Sequence, residues 1–149
     1  MGWLRVVIAF IAAAVGAAVL ATIAQTQFVV RGLNAVGAGI GPGDRMAMTL
    51  ADLAGLAPLY GGFIAVALLA AFLASALVAR IAPLPRPLVL AVAGGAAMTV
   101  MLLLMREVFF GVQLIAGARF APGFAAQVVC GVFAGVLFAG LTPGPRRDA

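Results

Sequence analysis

Four apolar runs decide what this chain can fold into: residues 4–30, 59–81, 88–105 and 124–141. About 20 consecutive apolar residues carry a helix across a bilayer, and inside hydrocarbon each backbone polar group must be satisfied within its own segment. The first run is uncharged from Val6 onward, and the last two are near the short end of the spanning range. Composition removes the soluble alternative. The chain is 66% hydrophobic and 9% charged, where soluble domains hold about 45–50% and about 25%. Disorder needs the opposite balance. No polar linker divides the sequence, so the expectation is one transmembrane domain over residues 1–149: an all-α integral membrane protein with four transmembrane helices in an antiparallel bundle. The first run is longer than the apolar core of about 7–15 residues typical of a signal peptide, so it is expected to stay as a span.

Several chemistries are closed by counting. The sequence has no histidine, which removes histidine-ligated haem, histidine-based zinc or iron sites and any triad with a histidine base. Cys130 is the only cysteine, so an internal disulfide or an iron–sulfur cluster is out of reach, and its apolar surroundings suit a packing residue. Asp44, Asp52, Glu107 and Asp148 are too scattered for a hard-metal cage. Neither a metal, nor a cofactor, nor a catalytic residue is expected. The net charge of +5 comes from arginines set singly between apolar runs, apart from Arg146–Arg147. That spacing fits membrane lipids and topology signals rather than nucleic acid.

With four spans both ends of the chain share a side. That side carries Arg5, Arg80, Arg86, Arg146 and Arg147; the other carries Arg31, Arg45, Arg106 and Arg119. The short proline-rich loop at residues 82–87 strengthens the bias, because short loops carry most of the topology signal. Both termini are therefore expected in the cytoplasm of a bacterial inner membrane. Trp3 and Tyr60 are expected at the two interfaces, where amphipathic aromatics collect.

Between the first two runs, a glycine-rich break ending at Gly43 precedes a segment with helical character. Asp44 suits an N-cap, and Gly55 and Pro58 suit a stop. Arg45, Thr49 and Asp52 share one face; Met46, Leu50 and Leu53 share the other. The pattern predicts a short amphipathic helix over residues 44–56 in the first outer loop, either a structural lid or a ligand-facing lip. The second outer loop, residues 106–122, is unusually apolar, with Val108-Phe109-Phe110, Leu114-Ile115 and Phe120. It is expected to fold back onto the protein, lie at the interface or meet a partner.

Polar residues near the membrane need a reason. Gln25, Gln27, Arg45, Thr49, Asp52, Arg106, Glu107, Arg119 and Gln127 all fall toward the outer side. Two explanations are open: helix ends meeting water and headgroups, or an outer polar pocket in which Asp52 or Glu107 pairs with Arg45, Arg106 or Arg119. The centres of the later spans hold only Ser75, Thr99 and Cys130, with no ionisable group, which argues against ion-coupled transport. Ala67, Ala71 and Ser75, and Gly131 and Gly135, form small-residue seams at four-residue spacing for helix packing, within the chain or against another.

The stretches Met48-Thr49-Leu50-Ala51-Asp52-Leu53-Ala54-Gly55-Leu56-Ala57-Pro58-Leu59-Tyr60-Gly61 and Ile115-Ala116-Gly117-Ala118-Arg119 resemble small four-span proteins of bacterial inner membranes. The resemblance implies a multi-pass fold and brings no functional residue. An acidic residue within the first span, expected of small multidrug exporters, is missing. The functional expectation is a non-catalytic accessory, scaffold or assembly subunit of a membrane complex, or a small homo-oligomer. A passive channel or transporter for a small or lipophilic solute stands second, and a lipid- or quinone-contacting enzyme third.

Overall fold

A computed structural model of the chain describes residues 2–81 and 84–142. These residues are helical almost throughout. Four long helices, α1 (Gly2–Ala35), α2 (Pro42–Ile81), α3 (Arg86–Val108) and α4 (Ala121–Leu141), are joined by short connections, the last of which holds a 3-10 turn at Ala116–Ala118. All four are long and apolar enough to cross a membrane. The basic tail beyond Thr142 and part of the 82–87 loop lie outside the described residues.

The helices form a ring. α1 packs on α2 and α4, and α3 packs on the same two helices. Each contributes one face to a common core. From α1 come Ala9, Ala13, Ala17 and Ala21; from α2, Tyr60, Ile64, Leu68 and Phe72; from α3, Leu90, Met98 and Leu102; from α4, Ala134 and Phe138. The four-residue spacing on α1 and α2 is the helical period placing one stripe inward. Phe72 stacks on Phe138 at a centroid distance of 4.7 Å and meets the edge of Phe10 at 6.3 Å.

The tightest seam is between α3 and α4, and it answers whether the glycine repeat serves this chain or another. A β-carbon added at Gly94 would fall 2.9 Å from the carbonyl carbon of Gly131 and nearer still to its oxygen; one at Gly135 would fall 2.5 Å from the carbonyl carbon of Leu90. Gly131 and Gly135 are therefore consumed inside the chain. Ala67 and Ala71 are only partly buried against the core, and Ser75 is buried with its hydroxyl returned to the Phe72 carbonyl at 2.8 Å.

Two arginines finish α4. Arg5 Nε donates to the Leu141 carbonyl at 3.0 Å, and Arg86 donates to the carbonyls of Ala139 at 3.3 Å and Thr142 at 2.5 Å, and to the Thr142 hydroxyl. Carbonyls at a helix C-terminus have no intrahelical donor and carry partial negative charge, so cations are favourable there.

One expectation is corrected. The segment at residues 44–56 is not a separate helix: α2 runs unbroken from Pro42 to Ile81 with Pro58 inside it. Proline removes one backbone donor and crowds the preceding turn. Here both sides of it are held by the rest of the bundle: Leu56 packs on the core, Tyr60 is buried, and Gly61 lies so near Ala18 of α1 that an added β-carbon would touch its methyl at 3.0 Å. Asp44 correspondingly lies inside the first turn rather than at the cap, because the Arg45 amide already bonds the Gly41 carbonyl at 3.0 Å. Tyr60 is likewise not an interfacial aromatic; it is 1% exposed, inside the ring.

Helix lengths differ in a way that positions the polar residues. At 1.5 Å per residue α1 and α2 measure about 51 and about 60 Å, and α3 and α4 about 35 and about 32 Å. Arg5 meets Leu141 at one end of α4, and Gln25 meets Gly117 beside its other end. α1 then continues to Ala35, about 15 Å past that level, and α2 returns beside it. The α1–α2 hairpin thus stands beyond the α3–α4 pair as an arm.

Candidate functional site

The arm is held together by polar contacts across its two helices. Thr26 is fully buried, and its hydroxyl donates to Asp52 Oδ2 at 2.6 Å. One turn outward, Gln27 Nε2 donates to the Thr49 hydroxyl at 3.3 Å, Thr49 donates to the Arg45 carbonyl at 2.8 Å, and Arg45 Nε donates to Gln27 Oε1. These three residues close a ring of hydrogen bonds. At the tip, Asn34 clasps Ile40 twice, accepting from its amide at 2.7 Å and donating to its carbonyl at 3.3 Å. Gly37 and Gly39, at φ 88° and 62°, supply the left-handed backbone of that turn. Gln27, Asn34, Pro42, Arg45 and Thr49 border an open notch of about 330 Å³.

Two other expected residues act inside the ring. Gln25 Oε1 accepts from the Gly117 amide at 2.7 Å, which fastens the α3–α4 connection onto α1. Gln127, fully buried, donates to the Ala21 carbonyl at 3.0 Å and accepts from the Tyr60 hydroxyl at 3.0 Å, so one side chain joins α1, α2 and α4. Thr22 is also fully buried, and its hydroxyl has no partner among the described residues.

The remaining three lie apart. Arg106 and Glu107 are exposed at the end of α3, and Arg119 is exposed, with Nε 3.5 Å from the Gln113 carbonyl. The expected polar belt therefore divides into an arm cluster, an interior brace and an exposed rim. The expected ion pairs are replaced by other contacts: Asp52 takes the Thr26 hydroxyl, and Arg45 takes the Gln27 amide oxygen. The reason is geometric, since Asp52 lies toward Thr26 while Arg45 lies two turns outward beside Gln27. Thr26 and Asn34 are visible in the sequence as polar residues on the same side, but not their partners Asp52 and Ile40, and Tyr60 is not foreseen as a partner of Gln127. One signal was present: Gln127 falls four residues before Gly131 and eight before Gly135, on the packed seam rather than in water.

The α3–α4 connection, expected as a second outer loop, partly folds back. Ile115, Gly117 and Ala118 are buried, and Gly123 lies so close to the Gly117 carbonyl that a β-carbon would clash with it. Phe110 stays outside, 99% exposed, with a positive φ of 54°.

On the opposite side of the ring from the α1–α4 contact, α2 and α3 leave an open apolar groove. Its outer part is about 940 Å³, bordered by Leu59, Phe63, Ala70, Ala96, Val100 and Phe109. A second stretch of about 400 Å³ continues from Ala71, Ala74 and Ala96 to Val78 and Leu84.

Comparison with protein families, with curated proteins and with solved structures finds no match. Among the described residues no three His, Cys, Asp or Glu side chains are grouped as a metal site would need. The fold and the site define an all-helical chain with four candidate membrane spans.

Proposed function

We propose that this chain is a non-catalytic multi-pass protein of a bacterial inner membrane, acting as an accessory or assembly subunit that associates laterally through its α2–α3 face. The spans run antiparallel, with both termini in the cytoplasm. The opposed register of α3 and α4, Gly94 on Gly131 and Leu90 on Gly135, supports the antiparallel arrangement. The arginine distribution and the short loop after α2 support the orientation.

The observation that carries the reading is the α2–α3 groove. From Leu59 to Val78 it follows α2 for about 28 Å, close to the hydrocarbon thickness of about 30 Å. Ala67, Ala70, Ala71, Ala74 and Ala96 run through it, small residues that let a neighbouring backbone approach closely in lipid. The interior of the ring supports a structural rather than a conducting role. Ala13, Ala17, Ile64, Leu68, Met98, Leu102 and Ala134 fill it, and Thr99 returns its hydroxyl to the Gly95 carbonyl at 3.0 Å. A conducting path would then run between chains rather than within one.

The test is native mass spectrometry of the tagged protein extracted from its own membranes in mild detergent. Co-purification with other subunits at fixed stoichiometry, lost in Ala70→Leu and Ala96→Leu while melting is unchanged, is the expected result. Both alanines are exposed in the isolated chain, so the larger side chains fill the groove without entering the core. A chain that purifies alone, or partners that remain bound to both variants, defeats this reading.

A further inference from the structure

We propose that the notch on the α1–α2 arm binds a phosphate group, with the guanidinium of Arg45 as its anchor and the phosphodiester of a phospholipid headgroup as its source. The inference uses the membrane placement argued above but none of the lateral association, so each can fail alone.

Arg45 is held only by neutral groups. Its Nε is committed to Gln27 Oε1, Gln27 is fixed in turn by Thr49, and Thr49 is tied to the Arg45 carbonyl. That closed ring orders the side chain and leaves both terminal nitrogens without a hydrogen-bond partner among the described residues. The carboxylate one would expect to neutralise it, Asp52, is taken by Thr26. An ordered guanidinium with a free terminal edge presents parallel N–H donors matched to two oxygens of a phosphate, and ordering in advance lowers the entropy cost of binding.

Space and depth agree. The notch of about 330 Å³ beside Arg45 has room for a phosphate and part of a headgroup. Gln27 follows Gln25 by two residues, so the notch begins about 3 Å beyond the level at which α1 meets Gly117 and extends toward Asn34, about 14 Å beyond it. Headgroup layers add about 5–8 Å to each side of the hydrocarbon. The guanidinium beside Gln27 is thus placed at the depth of lipid phosphates. Met46, which borders the notch, is 63% exposed and adds apolar surface beside the guanidinium.

The experiment uses the full chain in a phosphate-free non-ionic detergent, with melting followed by the reactivity of Cys130, which is buried and the only thiol. Dioleoylphosphatidylglycerol is titrated, with dioleoylglycerol as the lipid lacking phosphate and inorganic phosphate as the free anion. The expected result is saturable stabilisation by the phospholipid, none by dioleoylglycerol, and at least a tenfold weaker apparent affinity in Arg45→Gln. Arg31→Gln, which removes the same charge from an exposed position on the arm, is expected to bind as the unaltered chain does. Stabilisation by inorganic phosphate alone, abolished in Arg45→Gln, upholds the phosphate site and overturns the lipid source. Equal stabilisation by dioleoylglycerol, equal binding by Arg45→Gln, or an equal loss in Arg31→Gln overturns the proposal. Arg45→Lys keeps the charge without the fork, and a loss close to that of Arg45→Gln supports bidentate contact.

Discussion

Replacing Gly131 by alanine tests the close packing of α3 on α4. A β-carbon there would lie 2.9 Å from the Gly94 carbonyl carbon, closer to the Gly94 oxygen, and against Cγ of Met98. Non-bonded carbons settle at about 3.5–4.0 Å, so the helices must part by about 1 Å. Met98 is fully buried and meets the added carbon near the base of its side chain, and the Gly94 backbone is fixed in its helix, so neither yields cheaply. Overpacking of this kind costs about 1–3 kcal/mol, and a rigid neighbour places the cost near the upper end, about 3 kcal/mol. For a chain of this size each kcal/mol moves the midpoint by about 2–4 °C, giving a fall of about 6–12 °C. The assay is thermal unfolding in detergent read by a thiol-reactive fluorophore at Cys130, the residue before the substitution. Gly94→Ala should behave similarly, and the double variant should cost less than the sum, because both changes open the same contact. Gly55→Ala is the control: nothing lies within 4 Å of its added carbon, and alanine in a helix gains about 1 kcal/mol over glycine. A Gly131→Ala protein that melts at or above the unaltered midpoint would refute the tight seam.

Three further outcomes are expected. Gln127→Leu should lower the melting midpoint by about 1–3 kcal/mol, by stranding the buried Tyr60 hydroxyl and losing the added bond to the Ala21 carbonyl, and adding Tyr60→Phe should recover part of it, since removing both partners is cheaper than removing one. Arg86→Ala should raise amide hydrogen exchange in the last turn of α4, with Arg86→Lys restoring protection only in part, because an ammonium cannot serve the Ala139 and Thr142 acceptors with a planar fork; unchanged exchange would contradict the clamp. Phe110→Gly should stabilise the chain by about 1 kcal/mol through relief of its positive φ, where Phe110→Ala should not, and equal midpoints for the two variants would count against that strain.

The four helices were legible in the sequence because an apolar run near bilayer length has few other structures open to it. Their ends were not. Gly55 and Pro58 are strong local breakers, yet α2 passes through them, since Leu56 packs on the core, Tyr60 bonds Gln127 of α4 and Gly61 lies against Ala18 of α1. Tertiary contact outweighed the local signal. The polar residues were visible as a group on one side, but their partners were not. Which hydroxyl or amide meets Asp52 or Arg45 depends on the rotation of α2 about its axis relative to α1, and period alone leaves that angle open. Gln127 shows what could have been read further: its place in the Gly131–Gly135 register marks it as a packed residue, and a packed glutamine needs partners. The glycine register itself was clear, while its neighbour became known only from the contact with Gly94.

The unequal helix lengths bear on how such a chain would answer to bilayer thickness. α3 and α4 are close to the minimum for a crossing, with little apolar length in reserve, so the lipid beside that pair fixes the depth of the whole body. The longer pair offers no compensating slack. A thicker bilayer rising along α1 and α2 would meet the half-buried Gln27 and Asp52 and the exposed Arg31 and Arg45 instead of spare hydrocarbon surface, and taking these groups out of water would be costly. One half of the ring would act as a ruler and the other as a stop.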